Sequence, residues 1–178
     1  FEFSVKYIVQ KYKADIFFSP DGFLSLNLDN IPSLPVIHDI NFSHNNSYLP
    51  YLPGKYFCHF FPKYAKHAKR ILTVSEFSKN DISNTYKINP DKIDVAYNGA
   101  NEIYKPLSES IKKIVRDKYT GGEQYFVFVG ALLPRKNITN LIHSYNKFRK
   151  SSSIPVKLVI VGARFFLNSD MDKAYEEC

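Results

Sequence analysis

Apolar positions along this chain fall into short solid runs separated by stretches with helical spacing. Phe3, Val5, Ile8 and Val9 predict the end of a helix over residues 3–12. Residues 14–19, an apolar run closed by Pro20-Asp21-Gly22, predict a short buried strand. A second strand is expected over residues 34–40, followed by a polar loop of Asn, Ser and His. Residues 55–69 have helical spacing, provided that Pro62 does not break the helix. Residues 70–75 predict a third strand, and Ser75 is suited to cap a helix over residues 76–86. A fourth strand is expected over residues 92–97.

Periodicity then weakens. Residues 98–107 hold Asn98-Gly99 and Pro106 and make the best boundary. Beyond them a helix over residues 108–119 presents Ile111, Ile114 and Val115 on one face, and Thr120-Gly121-Gly122 ends it. A strand runs to Gly130. Asn137 is placed to cap a helix with Ile138, Leu141, Ile142, Tyr145 and Phe148 at helical spacing. Ser151-Ser152-Ser153 reads as a turn, and residues 156–162 as the next strand. Two alternating series of strands and helices, split near residue 100, predict an α/β protein of two doubly wound units. Solidly apolar strands predict parallel sheets covered on both faces.

The 178 residues are 44% hydrophobic, enough for a sizeable core. Net charge is +7, which attracts phosphates or anionic surfaces. No basic tail or nucleic-acid motif concentrates that charge, so nucleic acid is not an expected partner. Cys58 and Cys178 form neither a disulfide framework nor a zinc pattern, which fits a reducing cytoplasm. No apolar run spans a membrane, and the start Phe-Glu-Phe has no signal-peptide layout. The chain reads as a fragment. Three Asn-x-Ser/Thr sequons, at Asn41, Asn45 and Asn137, lack a secretory context and are read as coincidental.

Chemistry is most concentrated between Phe126 and Asn137. An apolar strand stops at Gly130, and Arg135-Lys136 arrive where the next helix begins. Two cations and a helix N-terminus suit a diphosphate. The competing reading is a solvated basic loop. The segment matches neither a P-loop nor a dinucleotide fingerprint. His38, at the end of a buried strand, is placed to hydrogen-bond a substrate hydroxyl or phosphate; the alternative is a His satisfied by nearby backbone. His38, Asp39 and His44 do not have standard metal spacing, so no metal site is expected. The helix with Tyr56, Phe57, Phe60, Phe61 and Tyr64 on one side and Lys63, Lys66, Lys69 and Arg70 on the other is read as a core helix with a charged back; the second option is a helix lying on an anionic membrane.

Taken together, these segments resemble the family-four retaining glycosyltransferases of the GT-B fold (glycosyl transferases group 1). Four signals occur in that family's order. Val36-Ile37-His38-Asp39 resembles its "HD" segment, and Leu72 to Ser78 its "TVSEFS" junction. Val95 to Asn101 with Tyr104-Lys105-Pro106 resembles "V-NGVD…F-P". Phe128-Val129-Gly130 followed by Pro134-Arg135-Lys136-Asn137 resembles "FVG-LEPRKN".

The resemblance implies two Rossmann-like doubly wound parallel-sheet domains, both incomplete here. Residues 1–100 would be the C-terminal part of the acceptor-side domain, and residues 101–178 the first part of the nucleotide-sugar donor domain. It implies transfer of a sugar from a nucleotide-sugar donor to a hydroxyl of a glycan or lipid-linked acceptor, with retention, in cell-surface polysaccharide synthesis. It needs no metal or other cofactor. Lys136 corresponds to the family's phosphate lysine. The usual arginine follows the glycine directly, where this chain has Ala131, and Arg135 stands in for it. Gly130 shares that diphosphate site. His38 corresponds to the catalytic-cleft histidine near the transferred sugar. Asp39, Ser75, Asn98, Gly99 and Gly162 are expected to line the cleft. Preorganised cations would stabilise the charge left on the diphosphate, and domain closure would exclude water. The family's first glycine-rich segment and its downstream "E-x7-E" lie outside the chain, so this piece alone is expected to be inactive. A cytoplasmic enzyme, with peripheral contact at the inner face of the membrane as an option, follows. The alternatives are a non-enzymatic nucleotide- or polyanion-binding α/β module and, behind it, a sugar-nucleotide epimerase of the same architecture.

Overall fold

The computed structural model describes residues 2–28, 30–45, 49–163 and 169–178. The chain divides into two compact units, Phe1–Ala100 and Asn101–Cys178.

The first unit opens with helix α1 (Glu2–Lys11). Strand β1 (Phe17–Ser19) pairs in parallel with β2 (Ser33–Pro35). Both are shorter than their apolar runs predict. Pro20 and Pro35 have no N–H to give a ladder, which limits how far either strand can extend. After Pro35 the chain stays in the sheet by a bridge between Val36 and Leu72, with the Ile37 N–H donating to the Leu72 carbonyl at 2.8 Å. The expected polar loop contains one helical turn, α2 (Asn41–His44), started by Asp39 Oδ1, which accepts from the Asn41 N–H at 3.1 Å.

Helix α3 (Tyr51–His67) begins one turn earlier than its spacing predicts and runs through Pro62. Proline costs that helix one hydrogen bond, to the Cys58 carbonyl. The ring contacts of α3 explain its tolerance. Phe61 lies 5.5 Å from Phe23, 4.9 Å from Phe42 and 5.4 Å from Phe57, centroid to centroid. Phe61, Tyr64 and Ala65 are buried, so the inner face of α3 is core. Strand β3 (Ile71–Thr73) pairs in parallel with β4 (Ile93–Val95), and between them lies α4 (Glu76–Tyr86). Ile37, Ile71, Ile82 and Ile93 join the α3 rings in one core. The strand order is therefore β1-β2-β3-β4, every pairing parallel.

In the second unit α5 (Glu109–Thr120) ends at Gly121, whose φ of 67° is the left-handed cap that glycine adopts without strain. Thr120, buried, donates from Oγ1 to the Glu123 carbonyl at 2.6 Å. Strand β5 (Gln124–Val129) pairs in parallel with β6 (Val156–Val161) along its whole length. Helix α6 (Ile138–Ser151) connects them, and α7 (Ser169–Glu176) packs on it. Ile138, Ile142, Met171 and Ala174 are the buried centre, with Phe128, Leu132, Leu158 and Ile160 against them. Covering of the β5–β6 sheet is partial among the described residues. Helix α6 covers the Phe126 face, where Phe126 and Phe148 stand 5.4 Å apart, while Val127 and Val129 on the other face are exposed. Strand β5 reads as apolar on both faces; α5 also meets it, where Val115 and Arg116 line a recess with Tyr125, and Val127 and Val129 further along stay exposed. No described helix is long and apolar enough to cross a membrane.

Candidate functional site

The loop from Gly130 to Asn137 leaves the carboxyl end of β5. Gly130 has φ 154° and donates its N–H to the Val161 carbonyl at 2.9 Å. Gly162 ends β6 directly alongside. A Cβ on Gly162 would lie 1.8 Å from the Gly130 carbonyl oxygen, so the two backbones meet where only glycine fits. The edge of β5 and β6 is thus bare backbone at both candidate glycines.

Arg135 and Lys136 lie just ahead of α6, at its N-terminal end. They belong to a separate 3₁₀ turn, Pro134–Lys136, that ends one residue earlier. That turn consumes two N–H groups expected to be free for an anion. The Lys136 N–H donates to the Leu133 carbonyl at 2.9 Å, and that of Asn137 to the Pro134 carbonyl at 3.0 Å. Both cationic side chains are exposed, and neither pairs with a carboxylate among the described residues.

Asn137 occupies the capping position of α6 but does not cap it. Its backbone is left-handed, φ 55°, and its Oδ1 accepts from the Asn140 side-chain amide at 2.8 Å instead. Asparagine tolerates this region better than most residues, so the same residue that reads as a cap serves as the bend. Helix α6 therefore starts with no side chain on its N-terminal N–H groups.

In the first unit the candidates leave one edge of the sheet. Ile37, Thr73 and Val95 end adjacent parallel stretches, linked by the Ile37 N–H to Leu72 and the Ala96 N–H to the Thr73 carbonyl, both at 2.8 Å. His38, Ser75 and Asn98 follow just beyond those ends. The buried Thr73 hydroxyl donates to the Ile37 carbonyl at 2.7 Å and fixes the backbone under His38. Local pattern does not reveal this link, because it joins residues far apart in sequence.

His38 is exposed, and its Nε2 donates to the Pro20 carbonyl at 3.1 Å. Backbone thus satisfies one ring nitrogen and sets the ring's orientation, leaving Nδ1 for a ligand. Asp39 is committed to starting α2. Ser75 caps α4 as its sequence predicts: Oγ accepts from the Ser78 N–H at 3.1 Å and donates to Ser78 Oγ at 3.1 Å. Asn98 and Gly99 are exposed, and nothing lies within 4 Å of where a Gly99 Cβ would be. Neither space nor a left-handed backbone requires that glycine.

No group of three or more His, Cys, Asp or Glu among the described residues is placed to hold a metal. A recess of about 450 Å³ lies at the opposite, amino ends of the strands, lined by residues such as Ser33, Lys66, His67 and Lys92; it contains none of the candidate residues.

Residues 1–102 match the model for Glycosyltransferase Family 4, and residues 109–178 the one for Glycosyl transferases group 1. Over 129 residues the chain is 36% identical to "O-antigen chain mannosyltransferase RfbU" of Salmonella typhimurium, a match covering 72% of this chain and 31% of that protein. It is 27% identical over 157 residues to "O-antigen chain mannosyltransferase B" of Escherichia coli, covering 88% of this chain and 41% of the relative. The chain thus spans less than half the length of these curated relatives. With a family match over more than half of its residues and the second family's match following it, the chain belongs to glycosyltransferase family 4.

Proposed function

We propose that the protein transfers a sugar from a nucleotide-sugar donor to a hydroxyl of a glycan or lipid-linked acceptor, with retention and without a metal, in the cytoplasm, during synthesis of a cell-surface polysaccharide. Family membership and the two mannosyltransferase relatives support the reaction class. The relatives' names make a mannosyl donor the first to test. In this reading unit Asn101–Cys178 holds the donor and unit Phe1–Ala100 serves the acceptor side.

The observation that carries the reading is the loop after β5. Arg135 and Lys136, free of carboxylates among the described residues, stand between the bare edge of Gly130 and Gly162 and the uncapped start of α6. In the transfer, the bond from the anomeric carbon to the diphosphate oxygen breaks and a bond to the acceptor oxygen forms on the same face. The diphosphate leaves with added negative charge, and the acceptor hydroxyl gives up its proton to the departing diphosphate oxygen on the same face. Two cations and a helix N-terminus stabilise the charge gained in bond breaking more than the charge the bound diphosphate already carries, which is what accelerates the step. His38, oriented through Pro20, hydrogen-bonds a hydroxyl of the transferred sugar. Asp39, Ser75, Asn98 and Gly99 shape the surface around it.

A transfer assay tests this. The intact protein is supplied with nucleoside diphosphate mannose of each base, an acceptor extract and a chelator, and the product's anomeric configuration is read by NMR. Transfer with the donor's configuration kept is expected. Inversion, or activity abolished by the chelator and restored by a divalent cation, contradicts the reading. Donor binding with no transfer to any acceptor favours the non-enzymatic nucleotide-binding module.

A further inference from the structure

Two rings stand at the carboxyl edge of the first unit's sheet without joining its core. Phe77 is 79% exposed and Tyr97 71%. A single exposed ring is ordinary on a protein surface, but the strand register brings these two to one place. Strands β3 and β4 run in parallel with Thr73 opposite Val95, and the Ala96 N–H donates to the Thr73 carbonyl, so the ladder continues past both strands. Ser75 still has extended backbone, φ −159° and ψ 158°. Two steps beyond the last pair, Ser75 therefore falls opposite Tyr97, about 5 Å away. Phe77 lies in the first turn of α4, two residues on from Ser75. On the other side of β3, Val36 bridges Leu72, which puts His38 level with Val74. His38, Phe77 and the Tyr97-Asn98 pair thus follow three adjacent parallel stretches and share roughly 10 Å of edge.

The chemistry of that edge narrows the ligand. Across residues 38–39, 75–79 and 96–99 the charged side chains are Asp39, Glu76 and Lys79. Asp39 accepts from the Asn41 N–H, and Glu76 complements the positive end of α4. Lys79 lies close enough to Asp94 to act on its charge. There is no arginine, so a phosphate finds no fork to grip it; the groups that suit a phosphate are Arg135 and Lys136, in the other unit. What this edge offers is two ring faces, the open Nδ1 of His38, and the Asn98 amide, which both donates and accepts. A pyranose has the matching make-up, an apolar face of C–H groups and a rim of hydroxyls that donate and accept.

We propose that Phe77 and Tyr97 form a platform for a neutral pyranose of the acceptor glycan, each ring packing on a C–H face of the sugar, and thereby select which acceptor is used. This role rests on the sugar-transfer reading and assigns it two residues that the family motifs leave without one. Packing on the rings removes apolar surface from water on both sides, and the aromatic contact adds to that. The hydroxyl rim then reaches His38 and Asn98, which sense the sugar's configuration.

Saturation-transfer NMR of the intact protein with the methyl pyranosides of mannose, galactose, glucose and N-acetylglucosamine tests it. At least one of them should receive saturation, strongest on the C–H protons of one ring face. Phe77→Ala and Tyr97→Ala should each raise its Kd roughly 10-fold, while Phe77→Tyr and Tyr97→Phe, which keep a ring, should bind like the parent. Nucleoside diphosphate affinity, read by calorimetry, should be the same in all four variants. Melting temperatures check that the variants fold, which is expected because both side chains are exposed. Ring-dependent pyranoside binding in a protein that transfers no sugar would support the platform and count against the enzyme reading alone. The proposal is overturned by absence of saturation on all four sugars, by pyranoside binding that survives both truncations, or by truncations that weaken nucleoside diphosphate binding instead, which would mean that the rings stack on a base.

Discussion

A methyl group at Gly162 would have nowhere to go. Its carbon would lie 1.8 Å from the Gly130 carbonyl oxygen, and backbone cannot step aside as a side-chain tip can. Gly162→Ala should therefore destabilise the protein by about 2 kcal/mol or more, the range of overpacked sites, measured as a drop in the urea midpoint. Gly99→Ala, with open space around it, should be close to neutral in the same measurement. The sequence makes both glycines candidates for the same reason, each at the end of a strand. What separates them is a contact between β5 and β6 that no local pattern encodes. Ser75 illustrates the opposite case. An N-cap depends only on the residue and the few after it, so the sequence by itself is enough to place it. Asn137 lies between these: its place at the start of α6 is legible, but not its left-handed backbone, which directs the side chain to Asn140.

At the scale of elements, the unexpected piece is α2. It joins the His38 segment to two helices. The Ser43 hydroxyl and the Tyr86 phenol are 2.8 Å apart, His44 Nε2 and Asp81 Oδ1 are 2.8 Å apart, and Phe42 packs between Phe57 and Phe61. Those partners come from α3 and α4, so local spacing reads only as a polar loop. Truncating Phe61 should cost about 3–5 kcal/mol, as large aromatic core deletions do, and should loosen α2 as measured by amide hydrogen exchange. Tyr86 carries a pH dependence. Burial pushes its phenol up to about 12, against the pull of the Ser43 hydrogen bond. The unfolded phenol ionises near 10, so at alkaline pH the unfolded state loses its proton first. Stability from this group is complete below about pH 10 and falls as pH rises towards 12. Urea midpoints at pH 8 and pH 11 should differ less in Tyr86→Phe than in the parent. An equal difference would show that Tyr86 is not the group responsible. Strand ends are the least legible part. Ladder pairing and prolines trim residues 14–19 to Phe17–Ser19, and the strand expected over residues 34–40 becomes Ser33–Pro35, starting one residue earlier and ending five earlier.

For the whole molecule, two units follow one another along the chain, and every described residue from Ala96 to Ile114 is exposed. Limited digestion should cut there first. Trypsin is hindered at Lys105 because Pro106 follows it, so a glutamyl endopeptidase acting after Glu102 is the suitable probe. Early release of two resistant fragments is expected; first cleavage elsewhere would contradict the reading of this segment as a linker. The family is legible because its motifs are local and ordered along the chain. The site is legible only by correspondence, since Ala131 replaces the expected arginine and the 3₁₀ turn takes up the N–H groups that an anion would use. Under the proposed function, the side chains of Arg135 and Lys136 and the open start of α6 are what this loop would offer a diphosphate. Calorimetry of nucleoside diphosphates with the intact protein, in a chelator, tests that directly. Lys136→Ala and Arg135→Ala should each weaken binding roughly 10-fold or more, the worth of a charge-assisted contact, with melting temperature unchanged. Undiminished affinity in both variants would contradict the placement of the donor at this loop.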